Sequence, residues 1–320
     1  MFEGRRVTVV VPAHNEEKLI GRVLDTMPEL VDRVIAVDDA SRDGTRAVLE
    51  RAQPRWGSRL RVIGRDRNGG VGAAIIDGYQ AALEEAGEDD SQLVAVMAGD
   101  AQMDPADLPK LLAPLARNEA DYAKGNRLFT GEAWKVIPRY RYLGNAVLSL
   151  MTKIASGYWH VADSQSGYTA ITTAALRVLQ LRRLYPRYGF PNHLLVELNN
   201  YDFRVRDVPI RPVYGVGETS GIRLPRVVPT LSWLLFKCYF WRIKEKYVIR
   251  DFHPLVFFLA LGLLLGGGGV LFGFYLLYLR VYAGGLSPNA VVFDVFCLIM
   301  GAQMLLFTMW MDMERNKSLK

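Results

Sequence analysis

Residues 7–16 read Val7-Thr8-Val9-Val10-Val11-Pro12-Ala13-His14-Asn15-Glu16. A short β-branched run that stops at a proline and turns polar has the length and composition of a buried strand running into a loop. Val34–Val37, Leu60–Ile63 and Leu93–Met97 repeat the pattern. Helical spacing fills the intervals over Glu16–Leu30, Thr45–Ala52 and Val71–Ala86. Asn15 is expected to cap the first of these helices, with Glu16 and Glu17 placed where the helix dipole favours acids. Strands alternating with helices predict an α/β unit with an open, mostly parallel sheet and helices on both faces.

Such a sheet binds ligands beyond the carboxyl ends of its strands, and the polar clusters fall there. The first strand ends in Pro12-Ala13-His14-Asn15-Glu16 and the second in Asp38-Asp39-Ala40-Ser41. The third runs into Asn68-Gly69-Gly70-Val71-Gly72 and the fourth into Gly99-Asp100-Ala101-Gln102. One polar loop is ordinary, but four at consecutive strand ends describe a site.

The last quarter of the chain changes character. Pro254 to Leu279 carries no charge, and Ala290 to Met311 carries only Asp294. Each stretch is long enough to span a bilayer core, and the turn-like linker Arg280–Asn289 predicts a two-helix hairpin. Asp294, near the start of the second stretch, reads as structural. Six Lys or Arg against one acid over Arg226–Arg250, with Arg315, Lys317 and Lys320 beyond, put the amino-terminal unit and the tail on the cytoplasmic side. Aromatic residues from Trp233 to Tyr247 share that basic segment, as expected at lipid headgroups. The net charge of +6 is concentrated there, which favours anionic lipid over nucleic acid as its partner. Cys238 and Cys297 lie in apolar surroundings without a pairing pattern. The expected organisation is a cytoplasmic unit over 1–225, an amphipathic segment over 226–253, spans at about 254–279 and 290–311, and a tail over 312–320.

Val-Pro-Ala-His-Asn-Glu, Val-Asp-Asp-Ala-Ser-Arg-Asp-Gly-Thr and Asn-Gly-Gly-Val-Gly-Ala-Ala together resemble the nucleotide-binding half of family 2 glycosyltransferases, which have the Rossmann-like GT-A fold. With Lys124-Gly125-Asn126-Arg127, Asp163-Ser164-Gln165-Ser166-Gly167-Tyr168 and two terminal spans, the chain is similar to dolichol-phosphate mannosyltransferases and bacterial polyprenyl-phosphate glycosyltransferases. The resemblance, over roughly residues 6 to 225, implies inverting transfer of a sugar from a GDP- or UDP-sugar to a dolichyl or undecaprenyl phosphate at the membrane. It assigns Pro12, Ala13, Asn15, Glu16, Asp38, Asp39, Asn68, Gly70, Gly72 and Asp100 to the donor, with Asp39 accepting from the base. Gly70 and Gly72 are expected to let the backbone approach the ligand closely.

The same resemblance implies Mg²⁺ or Mn²⁺ held by Asp100 and Gln102. The family's Asp-X-Asp is here Ala98-Gly99-Asp100, so its first acid is missing. Asp104 is expected to cap the next helix. Arg127 matches an acceptor-phosphate arginine, and Arg139, Arg141 and Asn145 match a second basic cluster; a phosphate acceptor needs cations rather than a general base. Arg211, Ser220 and Arg223 fall on a loop that closes over the donor. Glu197 either orients the sugar or is a helix-face charge, and His160 and His193 read as structural. Gly262/Gly266 and Gly269/Gly273 are spaced for close helix approach, compatible with a homo-oligomer. Two other readings are a nucleotide-sugar-binding scaffold, motivated by Ala98, and a processive polysaccharide synthase. The second would carry a tryptophan that Gln180-Leu181-Arg182-Arg183-Leu184 lacks.

Overall fold

A computed structural model of the chain describes residues 1–129, 139–211, 213, 215, 224–282 and 284–320; over 139–145 and 224–227 it describes the backbone alone. Two units are distinguished, Met1–Tyr239 with Leu319–Lys320, and Phe240–Ser318.

In the first unit the described residues form one seven-stranded sheet. Its strands are β1 (Val7–Ala13), β2 (Arg33–Asp38), β3 (Leu60–Gly64), β4 (Leu93–Val96), β5 (Tyr122–Asn126), β6 (Thr169–Thr172) and β7 (Val205–Pro209), in the order β3-β2-β1-β4-β6-β5-β7. Four pairings are parallel, and β6 runs antiparallel between β4 and β5. The apolar runs are continuous because both faces of the sheet are covered. Val10, Ile35, Val37 and Val94 join one core with Tyr79, while Val7, Val9, Val11, Val34 and Ala36 join another with Leu111 and Leu112.

The helices are α1 (Ile20–Asp25), α2 (Thr45–Trp56), α3 (Val71–Ala86), α4 (Leu108–Ala116), α5 (Arg139–Ser156), α6 (Thr173–Val178), α7 (Phe190–Asn200) and α8 (Leu224–Lys244). The helix expected over Glu16–Leu30 shrinks to α1, and Asn15 is not its cap. Asn15 has a φ of 58°, and the residue preceding the helix is Leu19. The polar run uses its hydrogen-bonding groups elsewhere. Asn15 and Glu16 amides donate to Ser41 and Thr45 hydroxyls (2.9 and 2.8 Å), and Arg42 N donates to Asn15 Oδ1 (2.8 Å). Asp104 does cap, accepting from Ala106 N at 2.9 Å ahead of Pro105–Asp107.

The second unit contains α9 (Leu255–Tyr282) and α10 (Pro288–Arg315), both long and apolar enough to cross a membrane. They pack through the glycine stripe. A Cβ on Gly301 would lie 2.3 Å from Gly266 N, Gly262 faces Leu305, and Gly269 faces Leu298. Close approach at these glycines is therefore used within the hairpin. Asp294 is buried, with one oxygen 3.1 Å from where a Cβ on Gly273 would sit.

Below the hairpin lies a buried polar network. Arg242 donates to both oxygens of Asp312 (2.7 and 2.9 Å), and Tyr247 donates its hydroxyl to Asp312 (2.6 Å). Lys246 donates to Asn316 at 2.9 Å. Two of the six cations expected at headgroups are thus interior. The tail over 312–320 is not loose either, since Asp312 and Asn316 belong to this network and Leu319 is buried in the core of the first unit.

Candidate active site

The loops after β1, β2, β3 and β4 each turn on a residue in the left-handed region: Asn15 (φ 58°), Ala40 (φ 54°), Gly70 (φ 95°) and Ala101 (φ 57°). Three of the four carry a Cβ, and such conformations cost free energy that surrounding contacts must over-determine. Those contacts are present. His14 Nδ1 lies 2.8 Å from Asp39 O, and Gly44 N donates to Glu17 at 3.0 Å. Pro12 and Ala13 serve through their carbonyls, which accept from Gly99 N (3.0 Å) and Asp39 N (2.9 Å). Asp38, buried, accepts from Ser41 N at 3.1 Å.

Asp39 is buried and its carboxylate receives two loop amides, Gly69 N at 2.8 Å and Gly70 N at 2.7 Å, with Arg65 Nε at 3.3 Å. Asn68 Nδ2 donates to the Asp39 carbonyl at 3.4 Å. Asp39 therefore shapes the glycine loop. Gly70 and Gly72 closely approach the chain's own Tyr185–Phe190 segment. A Cβ on Gly72 would stand 2.7 Å from Phe190 Cβ and from Tyr185 O, and one on Gly70 would stand 2.9 Å from Pro186 O. Ala73 N seals the contact by donating to Pro186 O at 2.8 Å. Gly72→Ala is expected to cost about 1–3 kcal/mol through forced displacement of that backbone, measured as a fall in Tm.

In the loop after β4, Asp100 Oδ1 accepts from Gln102 N at 3.1 Å, and both side chains are partly exposed. Glu16, assigned to the nucleoside by resemblance, is electrostatically tied to Asp100. Burial, then the charges of Asp100 and Asp43, push its carboxyl up to about 7. A divalent cation beside Asp100 would offset that repulsion, which is the ground for a metal fitting here. Among the described residues no three His, Cys, Asp or Glu side chains converge as a ready ligand set. The protein thus offers one carboxylate and one amide, a donor set suited to an ion that keeps waters and binds through substrate phosphates.

Arg127 follows β5. Its Nε and Nη2 donate to the two oxygens of Asp163 at 2.7 and 3.2 Å, and its backbone N to the same carboxylate at 3.2 Å. Burial alone would raise the Asp163 carboxyl, but Arg127 and Lys124 hold it below its usual range. Lys124 is fully buried and donates to Ser166 O; burial lowers its amine to about 8. Asn126 Nδ2 donates to Asp207 at 2.7 Å. Lys124 and Asp163 were quoted in the sequence only as motif letters, and Asp207 not at all. The salt bridge joins residues too far apart in the chain for spacing to reveal it. The side chains of Arg139, Arg141, Asn145, Ser220 and Arg223 lie outside the described residues. Arg211 is exposed, with its N bonded to the buried Asp107 at 2.7 Å.

Glu197 is buried rather than a helix-face charge. His160 and His193 have structural partners, Val205 O at 2.7 Å and Tyr185 N at 3.1 Å. Burial lowers His193 to about 4. It binds fewer protons folded than unfolded, so its contribution is full above the unfolded value of 6.5 and is lost as pH falls toward 4. The loss is roughly 3 kcal/mol. Chemical denaturation across that range should be steeper in pH for the wild type than for His193→Gln.

Residues 8–179, more than half the chain, match the family model described as Glycosyl transferase family 2. A UDP-N-acetylglucosamine–dolichyl-phosphate N-acetylglucosaminyltransferase of Methanococcus voltae is 29% identical over 220 residues, covering 65% of this chain and 86% of that one. A polyprenol monophosphomannose synthase of Mycolicibacterium smegmatis is 26% identical over 250 residues, covering 76% and 89%. The solved glucosyl-3-phosphoglycerate synthase of Mycobacterium tuberculosis, in complex with Mn²⁺, UDP and glucosyl-3-phosphoglycerate, superposes with a TM-score of 0.53. Its identity is 21%, over 75% of this chain and 80% of that one. Sheet order and this superposition define the GT-A fold. The chain belongs to glycosyl transferase family 2.

Proposed function

We propose that this glycosyltransferase moves a sugar from a GDP- or UDP-hexose to a polyprenyl phosphate at a membrane, with inversion at the anomeric carbon. The observation that carries this reading is the joining, in one chain, of a family 2 unit to two helices of membrane-crossing length. Two relatives carrying a dolichyl phosphate or a polyprenol in their names support it. The basic run at Arg226–Arg250 and the terminal Arg315, Lys317 and Lys320 favour a cytoplasmic catalytic unit. Because Arg242 and Lys246 are interior, that argument rests on the remaining cations.

The donor lies across the four loops, with Asp39 holding the glycine loop in shape and Asp100 and Gln102 at the diphosphate. Asp100 and Gln102 would hold a divalent cation, which when bound would neutralise charge on the leaving diphosphate. The acceptor phosphate is already anionic, so no general base is required. One of its oxygens forms the bond to the anomeric carbon. The bond from that carbon to the diphosphate oxygen breaks, and the electron pair leaves with the nucleoside diphosphate. Arg127, oriented by Asp163, supplies the cationic fork that positions the acceptor.

The test is mass spectrometry of lipid products from purified protein given polyprenyl phosphate and a panel of GDP- and UDP-sugars, with Mg²⁺, Mn²⁺ or EDTA. A glycosyl-phosphoryl-polyprenol lost with EDTA is expected, and wild-type Ala98 should suffice for turnover. Nucleotide binding without product from any donor would overturn the reading in favour of a scaffold.

A further inference from the structure

The chain from Asp163 to Tyr168 links the two halves of the site. β6 begins at Thr169, which pairs with Val96 at the end of β4 and with Lys124 on β5. Because β6 runs against both, the residues just ahead of it lie beyond the carboxyl ends of those strands, on the ligand side of the sheet. One end of the segment is tied to the acceptor cation. Asp163 Oδ1 accepts from Arg127 Nη2 and from Gln165 N, both at 3.2 Å. The other end is tied to the loop that carries Asp100. Tyr168 donates its hydroxyl to Asp104 O at 3.1 Å, and a Cβ on Gly167 would meet Met103 at 3.4 Å.

Gln165 stands between these anchors, and its side-chain amide is held from one side. Nε2 donates to Ser164 Oγ at 2.9 Å and to Asn192 Oδ1 at 3.3 Å, which uses both of its hydrogens. Ser164 is braced in turn by Ser149, with the two hydroxyl oxygens 3.2 Å apart. Asn192, near the start of α7, has no exposed surface, and its Nδ2 has no partner among the described residues. A buried donor left unmade costs stability that a leucine of similar volume would not incur. What the asparagine secures is the orientation of Gln165, whose Oε1 points away from both partners. Gln165 is partly exposed, and among the described residues nothing donates to Oε1.

We propose that Gln165 is a specificity-determining residue of the transfer, its Oε1 accepting a hydrogen bond from a ring hydroxyl of the donor sugar, with Asn192 as the positioning residue that aims it. This rests on the transfer proposed above, in which the anomeric carbon lies between the acceptor phosphate at Arg127 and the diphosphate at Asp100. A residue held midway between those groups, with an unused acceptor on its open side, faces the sugar rather than the nucleotide or the lipid. A neutral amide also holds a hydroxyl without adding charge beside two phosphates. A site built to hydrogen-bond a hydroxyl rejects the sugar that lacks it far more strongly than an apolar wall does.

The test uses the purified full chain with Mn²⁺, polyprenyl phosphate, and UDP-glucose, UDP-N-acetylglucosamine and GDP-mannose as donors. Monodeoxy forms of whichever sugar the wild type transfers are added to the set. Gln165→Met keeps the length of the side chain and removes the amide. It is expected to lower kcat/KM for the intact sugar about 10-fold, the scale of one hydrogen bond. For one deoxy sugar alone the penalty should shrink to within about 2-fold, because the group that Oε1 would hold is already gone. Calorimetric affinity for UDP or GDP with Mn²⁺ should match the wild type. Asn192→Leu should repeat the pattern more weakly, with Tm unchanged or raised. An equal penalty for every deoxy sugar, no penalty for the intact one, or a loss of nucleoside diphosphate affinity would each overturn the assignment and leave Gln165 as a loop residue. No transfer of any sugar by the wild type would instead overturn the transfer reading, and this proposal with it.

Discussion

Asp100→Ala is expected to lower the rate of glycosyl transfer by roughly 10²–10³-fold, the scale of removing one preorganised electrostatic contact at a leaving group. Asp100 stands in the loop after β4, next to Ala101 in the left-handed region, and its Oδ1 fastens the Gln102 amide. Alanine removes both the charge and that fastening. Asp100→Asn separates the two, since it retains an acceptor for Gln102 N while deleting the charge. If the carboxylate acts on metal and diphosphate, the asparagine variant should be nearly as slow as the alanine variant, with Tm close to that of the wild type. It should also lose the thermal stabilisation that Mn²⁺ with nucleoside diphosphate confers. Turnover of Asp100→Asn within a few-fold of wild type would remove Asp100 from the chemistry and leave it as a loop fastener.

The largest stability effect is expected at the base of the hairpin. Asp312→Ala leaves Arg242, which has no exposed surface, without its carboxylate, and it removes the acceptor of the Tyr247 hydroxyl. Breaking a buried pair from one side costs about 3–5 kcal/mol, mainly because the surviving charge stays desolvated. Arg242→Met should cost a similar amount for the mirrored reason. The double variant Arg242→Met, Asp312→Leu should recover much of the loss, because the Arg242 charge is removed together with the carboxylate that pairs with it. Thermal unfolding of the full chain in nanodiscs provides the double-mutant cycle. Additive losses in the double variant would show that Arg242 and Asp312 act independently.

How much of this was legible in the sequence differs by element. Val7–Val11, Val34–Val37, Leu60–Ile63 and Leu93–Met97 could be read because strands buried on both faces need continuous apolar residues, and that signal is local. β6 was not read: it is four residues long, two of them threonine, and its antiparallel place between β4 and β5 is set by what it pairs with. Helix α1 was over-extended because Glu16–Leu30 has helical spacing. The loop after β2 took the hydrogen-bonding groups of Asn15 and Glu16, and a cross-loop partner is invisible to periodicity.

The site divides in the same way. Asp39 and Asp100 stand out locally as charges in the loops after apolar runs, whereas Arg127 is singled out only by the family resemblance. Asp163 as the holder of Arg127, and Tyr185–Phe190 as what the glycines approach, needed the chain folded back on itself. The sequence alone determined the alternation of strands and helices in the catalytic unit, the presence of two membrane-length helices and the glycine spacing along the first of them, all properties of short windows of hydropathy and residue type. Only the tertiary structure decided which charges are satisfied by which: Arg127 by Asp163, and Arg242 by Asp312. The reason is physical: burial makes an unpaired charge costly, but the partner that offsets it is chosen by proximity in space, across tens of residues.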